Sequence, residues 1–266
     1  MQQALLWAAL GTGFTFLMTT LGSASVFLFR GRKNAFAQRV FLGFAAGVMI
    51  AASVWSLLIP ALERAEEAGQ FPLLPAVGGF ALGVAFLMVV HRLLPHEHPD
   101  ECKGCEGLPA PRKWGRPMLL FTAMTIHNIP DGMSVGLLFA MAGLEGDPAM
   151  LGLATALALG MGLQNIPEGA AVSLPLYQEG MSAPRAFAMG ALSGIMEPVF
   201  GILVVLLVGV ITPYMPWLLA FSAGAMMFVV VEELIPEAHL GERANVGTIA
   251  VLVGFLIMMS LDVALG

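Results

Sequence analysis

Runs of about 20 apolar residues, the length that an α-helix needs to cross the hydrocarbon core of a bilayer, recur along this chain. Short polar breaks divide the chain into segments at roughly 4–29, 36–60, 72–94, 118–143, 148–178, 184–210, 214–238 and 245–265. Membrane β-barrels instead show short segments in which polar and apolar residues alternate. The pattern therefore predicts an all-α integral membrane protein with eight transmembrane helices.

The composition supports the same class of protein. Of the 266 residues, 58% are hydrophobic and 11% are charged, and the mean hydropathy is +0.85. Soluble domains carry about 25% charged residues, so a soluble protein is excluded. The net charge is −6 and no basic face is present, so we expect no nucleic-acid partner. The first segment lacks the basic leader and cleavage site of a signal peptide, and we expect it to be a retained span.

The basic residues predict how the chain is oriented. Lys and Arg are concentrated in the cytoplasmic loops of membrane proteins. When alternate loops are assigned to opposite sides, Arg64 is the only one of the 12 basic residues on its side. This predicts a multi-pass protein of the cell membrane (inner or plasma membrane) with both termini extracytoplasmic. The long polar connection at about 95–117 is then cytoplasmic, and 1–266 forms a single transmembrane domain.

Two pairs of segments repeat each other. HNIPDG begins at His127 in the fourth segment and QNIPEG begins at Gln164 in the fifth, while FAAGVM and LIPA in the second segment match FSAGAM and LIPE in the seventh. The members of each pair run through the membrane in opposite directions, which is the signature of an inverted repeat. Transporters of this kind bind their cargo near the membrane midplane, between the repeats.

Acidic residues lie inside several of the predicted spans. An acid at the centre of a membrane helix costs about 2.5–3.5 kcal/mol on insertion scales, so it lines a cavity or meets a partner. No Lys or Arg lies in the central parts of segments four to seven to supply that partner. The acids are Asp131, Glu168, Glu197, Glu232, Glu233 and Glu237. The missing positive charge must come from protons or from metal ions.

The other side chains of the two motifs favour a metal ion. His127 and Asp131 are four residues apart, as are Gln164 and Glu168, so each pair shares one face of a helix. The proline in each motif removes a backbone donor and predicts a kink that opens space. Imidazole, carboxylate, amide and thioether ligands suit Zn²⁺, Fe²⁺, Mn²⁺ or Cd²⁺. The candidate ligands are His127, Asn128, Asp131, Gln164, Asn165, Glu168, Glu197 and Met49.

Other interpretations of these residues stay open. Each motif alone is compatible with a structural proline kink, and the methionine of FAAGVM is compatible with simple packing. A proton or other cation pathway also uses buried carboxylates, but it does not need the His127/Asp131 and Gln164/Glu168 pairs. An intramembrane metalloenzyme is disfavoured because the chain has no H-E-x-x-H pair.

The two motifs and the eight segments resemble the ZIP (Zrt-, Irt-like protein) family of divalent metal transporters, and in particular its bacterial GufA-like branch. The resemblance covers essentially the whole chain. It implies a transporter rather than an enzyme, which imports divalent transition metals, zinc first among them, into the cytoplasm through a binuclear site at the midplane. It also implies a homodimer. The metal is then the transported substrate, and no cofactor is expected.

The resemblance further implies how the ligands are divided between two ions. Asp131 and Glu168 would bridge the ions. The first ion would also be bound by Met49, His127 and Gln164, and the second by Asn128, Asn165 and Glu197. The chain departs from the family at Asp131, where Glu is common, and at Asn165, where Asp is common. The second departure removes a negative charge from the second position.

Two further groups of candidate residues lie outside the motifs. The first group lies near the cytoplasmic end of the seventh segment and consists of Glu232, Glu233, Glu237 and His239. These side chains either pass metal or protons out of the site or are in contact with water at the membrane interface. The cytoplasmic loop contains His96, His98, Cys102 and Cys105, which either contact metal through C-x-x-C or belong to a solvated connector. Two cysteines this close together do not indicate a disulfide framework.

Overall fold

Helices joined by short turns make up the part of the chain that the computed structural model describes, which is residues 2–28, 35–93, 116–178, 180–239 and 244–265. The α-helices are α1 (Gln2–Ser23), α2 (Ser25–Leu28), α3 (Ala35–Ala52), α4 (Ile59–Glu67), α5 (Leu73–Leu93), α6 (Arg116–Glu145), α7 (Pro148–Gln178), α8 (Ala183–Ser193), α9 (Met196–Leu206), α10 (Val208–Ile211), α11 (Met215–Val229), α12 (Ile235–His239) and α13 (Ala244–Leu265). A π-helix joins α3 to α4 (Ser53–Leu58), another joins α11 to α12 (Val230–Leu234), and a 3₁₀-helix precedes α11 (Thr212–Tyr214). The predicted all-α class is confirmed.

Seven helical stretches within the described ranges are long and apolar enough to cross a membrane. They are Gln2–Leu28, Arg39–Glu67, Leu73–Arg92, Pro148–Gln178, Ala183–Leu206, Val208–Leu234 and Asn245–Leu265. The fourth predicted segment coincides with α6, which has 30 residues. This helix is not among the seven because His127, Asn128 and Asp131 near its centre lower its hydropathy. The protein is therefore an all-helical membrane protein, while the count of eight spans stays a prediction.

The helices pack in pairs that the predicted inverted repeat relates to one another. Helix α3 packs along α13 and α11 packs along α5, while α1 packs along α7 and α6 packs along α9. The predicted repeat exchanges the first three segments with the last three, and the fourth segment with the fifth. This exchange converts the α3/α13 pair into the α11/α5 pair, and the α1/α7 pair into the α9/α6 pair. The packing thus agrees with the repeat that the sequence indicates.

Glycines bring these paired helices into backbone contact at equivalent positions. A Cβ at Gly47 in α3 would collide with the carbonyl oxygen of Val251 in α13, and a Cβ at Gly224 in α11 would collide with that of Phe80 in α5. Such close approach through small residues is typical of membrane helices. The exchange of repeats also relates a second pair of contacts, which are Gly254 against the carbonyl of Phe44 and Gly83 against the carbonyl of Phe221.

The two π-helices lie at matching positions in the repeats. Each begins four residues after a methionine, Met49 or Met226, and ends immediately before an Ile-Pro pair. The first π-helix has 6 residues and the second has 5. A π-helix accommodates an extra residue within a helix. The one-residue difference between the two repeats is therefore taken up in the π-helices.

The helices form two groups that meet at the motifs. We call α1, α6, α7, α8 and α9, which pack on one another, the motif bundle, and α3, α5, α11 and α13 the supporting bundle. The groups meet where α7 packs against α3 and α13, and where α6 packs against α11. Because both motifs lie on α6 and α7, they lie at the boundary between the two bundles.

Candidate metal site

The predicted polar ligands are brought together and buried in the motif bundle. Each of them is at most 6% exposed: His127, Asn128 and Asp131 on α6, Gln164, Asn165 and Glu168 on α7, and Glu197 on α9. The spacing of four residues within each motif directs two side chains to one helix face. The motif prolines, Pro130 and Pro167, lie inside continuous helices, so the predicted kinks stay a prediction.

The glycine that ends each motif lets a third helix approach. A Cβ at Gly132 would collide with the backbone of Glu197, and a Cβ at Gly169 would collide with the carbonyl oxygen of Thr19 on α1. Glu197 lies in the first turn of α9. The absence of a side chain at Gly132 is therefore what allows the third acid to lie beside the first motif.

Amide groups link the carboxylates of the site. The Gln164 Nε2 atom donates to Asp131 Oδ2 at 3.2 Å and to Asn165 Oδ1 at 2.8 Å. The Asn165 Nδ2 atom donates to both carboxylate oxygens of Glu197, at 2.8 and 2.9 Å, and to the carbonyl oxygen of Thr15 at 3.1 Å. Because Asn165 Nδ2 faces three oxygen acceptors, the orientation of this amide is fixed by its surroundings.

Three oxygen atoms of the motifs have no hydrogen-bond donor among the described residues, although they are buried. They are Asn128 Oδ1, Asp131 Oδ1 and Glu168 Oε1. The Asn128 Nδ2 atom donates to the carbonyl oxygen of Ser193 at 2.9 Å, so only its oxygen is left over. An unsatisfied buried polar group costs about 1–3 kcal/mol, and more if it is charged. A divalent cation is the partner that satisfies several such oxygens at once.

A small cavity is lined by one of these residues, Glu168. Its volume is about 10 Å³, which is close to the least space that holds one water-sized particle. We call this cavity the site cavity. Its lining consists of Leu42, Ala45, Met49, Met124, His127, Gln164, Glu168 and Leu234. The cavity thus unites one face of each motif with Met49 from the supporting bundle. The presence of Met49 in this lining agrees with its predicted role as a ligand, and that role stays a prediction.

Groups of three or more His, Cys, Asp or Glu side chains with a geometry that fits a metal ion do not occur in the described ranges. The four predicted loop residues, His96, His98, Cys102 and Cys105, lie outside the described residues.

The acids at the end of the supporting bundle differ in their surroundings. The Glu233 Oε2 atom lies 4.0 Å from His127 Nδ1, and the Glu233 side chain is 27% exposed. Its neighbour Glu232 is exposed. Glu233 is therefore next to the site cavity, whereas Glu232 faces away from the protein interior. The side chains of Glu237 and His239 lie outside the described part of the structure.

Sequence reasoning missed one buried acid. Asp262 on α13 is 4% exposed, and its Oδ1 atom accepts a hydrogen bond of 2.6 Å from the hydroxyl of Ser56. Its Oδ2 atom has no donor among the described residues. The sequence signal was an aspartate within the last apolar run, which is the same signal that identified the other acids. The pair joins α13 to the π-helix Ser53–Leu58 within the supporting bundle.

Comparison with known proteins agrees with this architecture. The model of the family described as ZIP Zinc transporter matches residues 95–262. Zinc transporter GufA of Myxococcus xanthus is 39% identical over 251 residues, covering 93% of this chain and 94% of the relative. Zinc transporter ZIP11 of Bos taurus is 36% identical over 333 residues, covering 97% of each chain. Zinc transporter ZIPB of Bordetella bronchiseptica is 36% identical over 263 residues, covering 98% of this chain and 82% of the relative.

The fold and these similarities define the class as a multi-pass membrane transporter, not an enzyme. The chain belongs to the ZIP zinc transporter family. A metal ion is accordingly the cargo of this protein rather than a cofactor. The resemblance inferred from HNIPDG and QNIPEG is confirmed.

Proposed function

We propose that the protein imports zinc into the cytoplasm through the buried site between α6 and α7. The observation that carries this proposal is the set of buried, donorless oxygens on Asn128, Asp131 and Glu168, of which Glu168 lines the site cavity. These oxygens need a cation, and the central parts of the motif helices contain no Lys or Arg. The zinc transporters named above supply the identity of the metal, while Fe²⁺, Mn²⁺ and Cd²⁺ are further expected substrates.

The proposed site is binuclear, with unequal positions. The first zinc ion is bound by Met49, His127 and Gln164, with Asp131 and Glu168 shared between the two ions. The second ion is bound by Asn128, Asn165 and Glu197. Because the Asn165 amide nitrogen already donates to both oxygens of Glu197, this second ion must first turn or displace the amide. We therefore expect the second position to bind zinc more weakly than the first.

Transport in this proposal alternates the exposure of the site. The boundary between the motif bundle and the supporting bundle runs past the site, so a movement of one bundle against the other opens it to one side of the membrane and then to the other. Two charges that move inward through 100 mV gain about 4.6 kcal/mol, at about 2.3 kcal/mol per charge. Inward flow therefore needs no separate source of energy.

The remaining parts of the proposal concern the setting of the protein. It forms one transmembrane domain over 1–266, lies in the cell membrane as a homodimer with both termini extracytoplasmic, and has its loop at about 95–117 in the cytoplasm. Glu233, next to His127, receives the ion on its way out, and the loop residues His96, His98, Cys102 and Cys105 contact metal in an auxiliary role.

Zinc uptake by purified protein in liposomes tests the function. We expect His127→Ala and Glu168→Gln to lower the apparent zinc affinity by more than the ~10–100-fold that loss of an outer-shell partner causes. Glu66→Gln is the matched control, because Glu66 is an exposed acid outside the motifs. Undiminished uptake by both site variants would remove this site from the mechanism. Proton flux without zinc uptake would instead favour the proton pathway.

A further inference from the structure

A second cavity lies outside the metal site, where α7 meets α3 and α13. Its volume is about 470 Å³, and its ten lining residues include no polar side chain. The walls come from the N-terminal parts of α3 and α13 and from the centre of α7. They include Val40, Phe41 and Phe44 on α3, Ile249 on α13, and Ile166 and Pro167 on α7. We call this cavity the apolar groove.

The apolar groove is open toward the membrane. Its walls belong to Arg39–Glu67, Pro148–Gln178 and Asn245–Leu265, which are long and apolar enough to cross a bilayer. Among the lining residues, Phe41 is 47% exposed, Leu163 is 40% exposed and Ile249 is 61% exposed. Exposed apolar side chains in the membrane-crossing part of a helix contact the hydrocarbon of the lipids. The groove is therefore continuous with the lipid-facing surface of the protein.

In the other repeat, the chain fills the equivalent place with one of its own side chains. The repeat relates Val40 of α3 to Trp217 of α11, and it relates Ile249 of α13 to Gly78 of α5. A Cβ at Gly78 would collide with the indole ring of Trp217, so this ring packs directly on α5. Val40 and Ile249 supply no such ring. The space between α3 and α13 is therefore left for a separate apolar molecule.

The volume of the apolar groove suits a hydrocarbon chain better than a helix of a second protein molecule. An α-helix with its side chains is about 10 Å wide, so about 470 Å³ holds only about 6 Å of helix, which is one turn. A hydrocarbon chain is flexible and much narrower, and cavities of ~300–1,000 Å³ hold small-molecule ligands. The bilayer supplies such chains at the open side of the groove. An acyl chain of a lipid is therefore the occupant that fits.

A basic side chain lies at one end of the apolar groove. Arg39 directly precedes Val40 and lies one turn before Gly43, where a Cβ would collide with the carbonyl oxygen of Gly247 on α13. Arg39 is thus at the end of the contact between α3 and α13. It forms no ion pair with a side chain that the structure describes. In the sequence, residues 30–39 contain four basic residues and no acid, and basic clusters beside a membrane helix attract anionic lipids.

We propose that the apolar groove binds an anionic phospholipid of the bilayer, with one acyl chain between α3, α7 and α13 and the headgroup at Arg39. The chain takes the place that the indole ring of Trp217 has in the other repeat. It also touches the second motif, because Ile166 and Pro167 line the groove while Glu168 lines the site cavity. The lipid thus packs against the helix that carries proposed ligands of the ion. Its binding does not depend on the proposed zinc transport.

Native mass spectrometry of the purified protein tests the lipid site. The protein is titrated in detergent with phosphatidylglycerol or with phosphatidylcholine of the same acyl chains. We expect the first phosphatidylglycerol to bind at least several-fold more tightly than the first phosphatidylcholine, and glycerol 3-phosphate, which has no chains, not to compete. Ile249→Trp fills the groove and should weaken phosphatidylglycerol binding several-fold. Leu252→Trp is the matched control, because Leu252 is 58% exposed on the same helix and does not line the groove.

Arg39→Gln tests the headgroup. It should lower the affinity for phosphatidylglycerol to that for phosphatidylcholine, whereas Arg92→Gln, at an exposed position on α5, should change neither affinity. Equal affinities for the two lipids in the unchanged protein would refute an anionic headgroup at Arg39.

The other outcomes also decide the inference. If Ile249→Trp and Leu252→Trp bind phosphatidylglycerol alike, the lipid belongs only to the general boundary layer and the inference is overturned. It is overturned too if Ile249→Trp separates a dimer into monomers and leaves lipid binding unchanged, because the groove is then an interface between copies. Val40→Trp, which copies Trp217 of the other repeat, serves as a second variant if Ile249→Trp does not fold, with the same expected loss.

Zinc uptake gives a second readout, which rests on the proposed function. In liposomes of phosphatidylcholine, added phosphatidylglycerol should raise the uptake rate several-fold in the unchanged protein and in Leu252→Trp, and much less in Ile249→Trp. If the unchanged protein takes up no zinc, the proposed function fails, while the binding measurements still decide the lipid site. An equal rise in Ile249→Trp and Leu252→Trp would refute an influence of the bound lipid on transport.

Discussion

Asn165→Asp is the substitution whose consequence the structure predicts most fully. The Asn165 amide nitrogen lies 2.8 and 2.9 Å from the two oxygens of Glu197 and donates to both. Aspartate at this position has no donor, so two carboxylates would face each other across that distance. Each lost hydrogen bond to a charged group is worth about 1.5–3 kcal/mol. Two unit charges 2.8 Å apart repel by about 6 kcal/mol at an effective dielectric constant of about 20.

The variant therefore needs a cation between the two carboxylates, at the place where the original protein has the hydrogen-bond donors of the Asn165 amide. Without metal, we expect Asn165→Asp to unfold at a markedly lower temperature than the original protein, by an amount corresponding to several kcal/mol. With zinc, we expect it to recover, since a ligand at 100 times its Kd adds about 2.7 kcal/mol. The original protein should gain less from zinc, because at the proposed second position the Asn165 amide already donates to both oxygens of Glu197.

Thermal unfolding in detergent, first with a chelator and then across a zinc titration, measures this effect. Equilibrium dialysis of the same samples gives the number of bound zinc ions, which should rise in Asn165→Asp. Asn165→Ala is the matched control, because it removes the amide without adding a charge and should not gain zinc dependence. The reasoning is refuted if Asn165→Asp unfolds with chelator at the same temperature as the original protein and binds no additional zinc.

Two further pairs of variants test the packing and the exit of the ion. Gly47→Ala places a methyl group against the carbonyl of Val251, so thermal unfolding should show a loss of stability, whereas Gly13→Ala, with nothing within 4 Å of an added Cβ, should be neutral or stabilising by up to about 1 kcal/mol. Glu233→Ala should reduce the maximal rate of zinc uptake more than it changes the half-saturating concentration, because Glu233 lies 4.0 Å from His127 and, in the proposed mechanism, receives the ion after it has bound. Glu232→Ala, at the exposed neighbour, should leave both quantities unchanged, and equal effects of the two variants would contradict a role for Glu233 in release.

The sequence predicts those features that depend on neighbouring positions in the chain. Helices follow from the length of the apolar runs, and the i,i+4 spacing correctly predicts that His127 and Asp131 share a helix face. The repeats could also be read directly, because FAAGVM and FSAGAM are similar in residue type. These features require no knowledge of which helices touch.

What the sequence does not predict depends on contacts between distant parts of the chain. Thr15 and Asn165 are 150 residues apart, yet the Thr15 carbonyl oxygen helps to fix the Asn165 amide. The sequence thus identifies Asn165 as a candidate ligand but not the direction in which its amide nitrogen points. Asp262 carries the same sequence signal as the other buried acids, but its pairing with Ser56 could not be predicted, because Ser56 is 206 residues away and lies on a π-helix that the apolar pattern does not reveal.

The π-helix Val230–Leu234 separates two lengths of helix with different partners. Helix α11 before it is fitted along α5, whereas α12 after it packs against α3 and α13. Because a π-helix accommodates an extra residue, the chain between α11 and α12 holds one residue more than an α-helix would, and both helices keep their own partners. Glu233, whose carboxylate lies 4.0 Å from His127, is on this π-helix. Removing one residue from Val230–Leu234 should therefore move Glu233 relative to the site while the contacts of α11 and α12 are kept.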